Sequence, residues 1–161
     1  MKNGDRKAKV NALLDEALTK TYNNYDIAGK LRLQGIPRKV TMNAVNVLNG
    51  QTETFETMPI NVEIESLHGT VTKTVRAFTT EKVTGTLEAV DWGRYAHNWP
   101  HLRGIQFPEP GRHPLVDILI AIGQIDLNYS FKAVKGRSGD PVARVTAVGW
   151  TFVGPADGRD V

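Results

Sequence analysis

An aspartate that closes a short apolar run is the residue of this chain best suited to chemistry. Val10-Asn11-Ala12-Leu13-Leu14 stops abruptly at Asp15-Glu16, a pattern that predicts a buried strand ending in acid at a turn. A carboxylate in that position can be held by backbone donors. Two such groups close together cannot both ionise, so they share one proton and act as acid and base at once. Paired aspartates of this kind hydrolyse amides through an activated water. Only one convincing strand-to-turn acid occurs, so a dyad has to be completed by a second copy of the chain across a two-fold axis. The same pattern also suits an acid that merely caps a turn.

Other clusters point to bland roles. His97 and His101 are four apart, a spacing that can hold a metal on one helix face. Pro100 lies between them and no third ligand is near in sequence, so both are expected on the surface or in a loop, with no metal. Trp92, Tyr95, Trp99 and Trp150 beside Arg94 and Arg103 have the residue types of a single-strand nucleic-acid platform. The three- and four-residue intervals of the first three favour packing on a sheet instead. Asn128-Tyr129-Ser130 fits a glycosylation acceptor, which has no use without an export signal. Cysteine is absent, which removes disulfides, thiolate catalysis and thiolate zinc sites, and no cofactor is called for.

The elements around Asp15 read mainly as strands. Asn23, Asn24 and Asp26 supply helix-start chemistry, Ile27, Leu31 and Leu33 an apolar stripe, and Gly35 with Pro37 a stop, predicting a helix of two to three turns. Val45 to Leu48, then Asn49-Gly50, then Gln51 to Phe55 predicts a hairpin with a polar tip. Ile60, Val62 and Ile64 alternate with polar residues, and Val71, Val75 and Phe78 follow across His68-Gly69, which predicts two paired, half-exposed strands. A short helix and an irregular connection are expected over 91–114. Leu115 to Ile122 is the most apolar run and suits a strand covered on both faces. Pro141 to Val153 predicts one final strand. The 161 residues make one domain, 40% hydrophobic and 23% charged, with 1–9 a solvated polar leader, 10–154 the folded unit and 155–161 a tail. The net charge of +3 is weak ground for a nucleic-acid partner. No apolar stretch approaches the ~18 residues of a membrane span, and an intracellular location is expected.

Four segments, in order, resemble the retropepsin-like aspartic peptidase domain of BEL/Pao-type retrotransposon polyproteins. Asn11-Ala12-Leu13-Leu14-Asp15-Glu16-Ala17-Leu18-Thr19-Lys20-Thr21-Tyr22 is similar to that family's active-site segment. Asp26-Ile27-Ala28 through Leu31-Arg32-Leu33-Gln34-Gly35 matches the short helix that follows it. Val116-Asp117-Ile118-Leu119-Ile120-Ala121-Ile122-Gly123 resembles the second hydrophobic motif, and Pro141-Val142-Ala143-Arg144 to Gly149-Trp150 the terminal signature. The resemblance implies a closed retropepsin-like β-barrel with a flap hairpin and one or two short helices. It implies an aspartic endopeptidase that cuts its own Gag-Pol-type polyprotein as a homodimer, in the cytoplasm or in retrotransposon particles. By position, Asp15 is the catalytic aspartate, with Glu16, Ala17 and Leu18 its loop. Val47, Leu48, Asn49, Gly50 and Gln51 are the flap over a bound peptide, and Ile120, Ala121 and Ile122 belong to the second hydrophobic motif. Dimer contacts are expected from the strand before Asp15 and the one ending near Val153. Glu16 stands in place of a Ser or Thr that ties two active-site loops together, Ala17 in place of a Gly, and Leu18 where Ser is usual. Ala121 and Gly123 replace the Gly and Asp of the second motif. Such departures also fit a catalytically impaired dimerisation or peptide-binding module.

Overall fold

The computed structural model describes residues 1–43 and 52–155. Its elements are β1 (Lys2–Asn3), β2 (Arg6–Lys7), β3 (Ala12–Asp15), β4 (Thr21–Asn24), α1 (Tyr25–Lys30), β5 (Arg38–Asn43), β6 (Thr52–Thr57), β7 (Pro59–Glu65) and β8 (Thr72–Thr80). After these come α2 (Trp92–Tyr95), β9 (Ile118–Ala121), α3 (Ile125–Asn128), β10 (Lys132–Val134), β11 (Val142–Thr146) and β12 (Gly149–Val153). The fold is mainly β. Seven strands in the order β2-β1-β7-β8-β4-β9-β3 form a sheet curled into a half-barrel, β10-β11-β12 form a second sheet, and β5 and β6 a two-stranded ribbon. β2 and β3 are the two edges of the half-barrel.

Period-two patterning decides the middle of the large sheet. Ile60, Val62 and Ile64 on β7 and Val75 and Ala77 on β8 are buried, and Val62 faces Val75 in the antiparallel register, so one face of both strands enters the core. Helix α1 lays Ile27, Ala28 and Leu31 into the same cluster. It starts where expected, because the Asn24 side chain accepts a hydrogen bond from Asp26 N at 2.7 Å, which satisfies one of the helix's orphan donors. It ends earlier than expected. Arg32 takes φ 51 and Leu33 N donates to Ala28 O at 2.9 Å, a left-handed C-terminal motif that turns Leu33 back into the core. Gly35 therefore follows the helix, and it lies so close to the Pro59 backbone that a Cβ has no room there.

Strand β9 is buried at every position, but it takes only the middle of the apolar run: Leu115 and Ile122, at the ends of the expected strand, are exposed. It lies between β3, to which it runs parallel, and β4, to which it runs antiparallel. Because β3 and β4 are consecutive in sequence, the chain from Glu16 to Lys20 must cross over the end of β9.

Four expectations need correction. Residues 1–9 are not a solvated arm: β1 pairs with β2 and with β7, and Met1 is buried in the main core. The ribbon strands are Arg38–Asn43 and Thr52–Thr57, so pairing begins before Val45, and 44–51, which hold the proposed flap, lie outside the described residues. The expected final strand is a hairpin, β11 with β12, opened by Gly149 at φ 118, a value glycine reaches without strain. Strand β3 is not buried: it lies at the sheet edge with its residues exposed or half-buried, because only β9 covers it. The 91–102 region packs as expected on a sheet, but on the small one: Trp92 stacks on Phe152, and Ala96, Leu102 and Trp99 join Ala143 and Trp150 in a second apolar cluster.

Charge holds the leader down. Glu65 receives Lys7 Nζ at 2.8 Å and Lys2 Nζ at 2.9 Å, and these hydrogen bonds, Lys7 first, lower its carboxyl from its ordinary 4.5 to about 2. A value below that of the unfolded chain means the stabilisation is present above about pH 4.5 and is lost as the pH falls through about 2. Glu65→Gln is expected to lower the melting temperature modestly at neutral pH and to flatten its acid limb over that window. High salt should shrink the difference, since the cluster is partly solvated. Parallel melting curves for the two proteins across the window would show that the carboxylate contributes nothing.

Candidate active site

Asp15 is the last residue of β3 and is half-buried. Its Oδ1 accepts the Ala17 backbone N–H at 2.8 Å, so the turn that follows is closed by the carboxylate itself. Among the described residues Oδ2 makes no hydrogen bond, which leaves it for water or a second acid.

The second hydrophobic motif sits directly alongside. Leu14 pairs with Ile120 and Asp15 with Ala121 in the parallel register. Ile122 N donates to Leu18 O at 3.1 Å, and Ala121 N donates to the buried Thr21 hydroxyl at 3.1 Å. On the other side the Asn128 amide donates to Ala121 O at 2.9 Å and to Gln124 O at 3.0 Å. The expected residues Asp15, Glu16, Ala17, Leu18, Ile120, Ala121 and Ile122 are thus one constellation, and Thr21 and Asn128 are its clamps. Thr21 lies inside the active-site segment without a signal of its own, and Asn128 stands out in the sequence only as part of a glycosylation acceptor.

Glu16 leaves the carboxylate alone. It reaches Arg144 Nη1 on β11 at 3.1 Å, which ties the turn to the small sheet across 128 positions of sequence. Upstream, Asn11 is buried and anchors the strand: its side chain donates to His113 O and Leu115 O and accepts from Gly111 N, while its own N–H goes to Asp117 Oδ2 at 2.8 Å.

A groove of about 750 Å³ runs beside β3, between the half-barrel and the small sheet. Its apolar walls include Leu13, Leu14, Val116, Trp150 and Phe152, and they stop short of Asp15. The ribbon meets β4 and the start of α1, where Phe55 approaches Tyr22 with ring centroids 6.4 Å apart and Glu56 O accepts from Tyr25 Oη.

His97 is exposed, while His101 turns Nε2 to Pro141 O at 2.8 Å. No helix among the described residues is long and apolar enough to cross a membrane. No family model, no curated protein and no solved structure matches the chain.

Proposed function

We propose that the chain is an aspartic endopeptidase of the retropepsin kind, active as a homodimer in which the Asp15 carboxylates of two copies activate one water. One observation carries the proposal: Asp15 ends a strand, half-buried, with one oxygen fixed by the Ala17 N–H and its turn clamped to the second hydrophobic strand through Thr21, Leu18 and Ile122. In a dyad the ionised carboxylate takes a proton from water as the oxygen attacks the scissile carbonyl carbon, and the protonated partner gives its proton to the carbonyl oxygen. Collapse of the tetrahedral intermediate expels the amine with a proton from the same pair. The substrate class is extended peptide, including junctions of the polyprotein that carries the domain. The Glu16 to Arg144 pair supports the reading, since it draws the additional acid away from the dyad.

A second reading, a dimerisation or peptide-binding module without catalysis, is favoured by the groove, whose walls follow β3 but end before Asp15. Incubation of the purified protein with extended peptides, with and without a statine-type mimic of the tetrahedral intermediate, separates the two. The endopeptidase reading expects cleavage that the mimic blocks. Peptide binding without cleavage, indifferent to the mimic, leaves only the module.

A further inference from the structure

Arg38, the first residue of β5, and Arg76, on β8, belong to different sheets. Both nevertheless line one open hollow of about 200 Å³, together with Gln34, Asn61, Pro59 and Ile60. No acid lines it among the described residues. Among the same residues neither guanidinium makes an ion pair, whereas Lys2 and Lys7 hold Glu65, Lys73 holds Asp126, Arg94 holds Asp91 and Arg144 holds Glu16.

The backbone brings the two arginines together. Gly35 lies so close to the Pro59 backbone that the 34–38 segment is seated on the start of β7. Asn61 and Arg76 are exposed and alternate with the buried Ile60, Val62, Val75 and Ala77, so they stand on the face of β7 and β8 turned away from the core. Register keeps both charges unpaired. Lys39 faces Glu56 across the ribbon, but Arg38 faces Thr57, whose hydroxyl donates to Thr79 O at 2.8 Å. Arg76 faces Asn61, while Glu63 and Glu65 on the same side of β7 stand opposite Thr74 and Thr72 and are held by Lys2. Directly opposite residues are the pairs that neutralise charge on a sheet surface, and both arginines have neutral groups there.

Like charges that share a hollow repel, and an anion that enters it turns the repulsion into attraction. Each guanidinium offers five N–H donors in a planar fork that grips oxyanions two bonds at a time, and the amides of Gln34 and Asn61 add neutral donors. A phosphoryl group brings three acceptor oxygens and close to two negative charges at neutral pH. That matches two forks better than the two oxygens and single charge of a carboxylate. The volume is that of about six waters at roughly 30 Å³ each, which suits one phosphoryl group and little of what carries it. We propose that this hollow binds a phosphoryl group through Arg38 and Arg76, with Gln34 and Asn61 as supporting donors. It shares no residue with the Asp15 turn and does not depend on the endopeptidase reading.

The test titrates the full chain, labelled with nitrogen-15, with inorganic phosphate at constant ionic strength and follows amide signals by NMR. Saturable shifts are expected at Gln34, Asn61 and Arg76. Arg38→Ala and Arg76→Ala are each expected to raise the dissociation constant about tenfold or more, the worth of a lost charge-assisted pair, with signal dispersion showing that both variants fold. Arg76→Lys keeps the charge without the fork and is expected to fall between. Arg103→Ala, exposed and outside the hollow, and Asp15→Asn are expected to leave binding unchanged. Phenyl phosphate in place of phosphate tells the source: tighter binding upholds the site as one for a phosphate ester, equal binding as one for the free ion. Shifts that never saturate, that fall on other residues or that persist when both arginines are replaced by alanine overturn the proposal, as does succinate binding as tightly as phosphate.

Discussion

Asp15→Asn is expected to lower turnover of an extended peptide by roughly 10²–10⁴-fold, the range of a lost general acid–base group, with dimer mass and melting temperature nearly unchanged. The physical reason is the division of labour between the two carboxyl oxygens. Oδ1 accepts the Ala17 N–H, and an amide oxygen accepts it as well, so the turn closes in the variant. The amide cannot take a proton from water, however, and in a symmetric dimer both bases are removed together. Asp15→Ala is expected to differ in kind, since it also deletes the acceptor that closes the turn and so lowers stability along with turnover. Excess Asp15→Asn chain mixed into wild type is expected to poison activity, because a mixed dimer holds a single carboxylate. Initial rates and thermal melts on the three proteins check this; an Asp15→Asn variant that cleaves at the wild-type rate moves the chemistry to another residue.

The parts of this site visible in sequence are those where one periodicity holds over several residues. Alternation on β7 points where the structure puts it, whereas the apolar run 115–122 narrows to the four residues of β9, and β3 ends at Asp15 as a partly exposed edge strand and not as the buried one its apolar residues predict. Strand β4 shows why other parts were hidden. Thr21-Tyr22-Asn23-Asn24 reads as polar, yet its first three residues are buried, because Thr21 takes the Ala121 N–H and Asn23 donates to Asn24 O. A buried polar strand is legible only once its hydrogen-bond partners are known.

Length hid other elements. Helix α3 has four residues and β10 three, too few for a period to register. The leader hairpin owes its place to Glu63 and Glu65, acids some sixty positions away that its lysines find only in the folded chain. Glu16 shows the same limit at the site itself. As a sequence feature it is an acid in place of a loop-tying Ser or Thr, and as a structural one it is a strut to Arg144.

Asp117 is where the fold and the Asp15 strand meet, and its removal should be the most damaging single change outside the dyad. The residue is 3% exposed. Its backbone N–H donates to Asn11 O at 2.9 Å and its carbonyl accepts from Asn24 N at 2.9 Å, so it stitches the chain before β3 to the end of β4. Its Oδ2 takes the buried Asn11 N–H at 2.8 Å. His113 Nε2 stands 3.1 Å from Oδ1, within ion-pairing distance but outside hydrogen-bond geometry. The His113 ring is oriented by Leu115 N, which donates to Nδ1 at 3.0 Å, so the neutral ring carries its proton on Nε2, toward Asp117. Asp117→Ala leaves a buried N–H without an acceptor and removes a charge-assisted hydrogen bond, expected to cost about 3 kcal/mol. Asp117→Asn keeps an acceptor for Asn11 and should cost less, although its amide hydrogens then face the Nε2 proton of His113. Chemical denaturation of both variants measures the difference, and equal loss in the two would show that charge, not acceptance, is what Asn11 needs. The effect should reach the chemistry too. Asn11 immediately precedes β3, and a shift of about 1 Å in a reacting group can slow turnover on the order of a hundredfold. A folded Asp117→Asn variant is therefore expected to lose turnover by more than its lost stability accounts for.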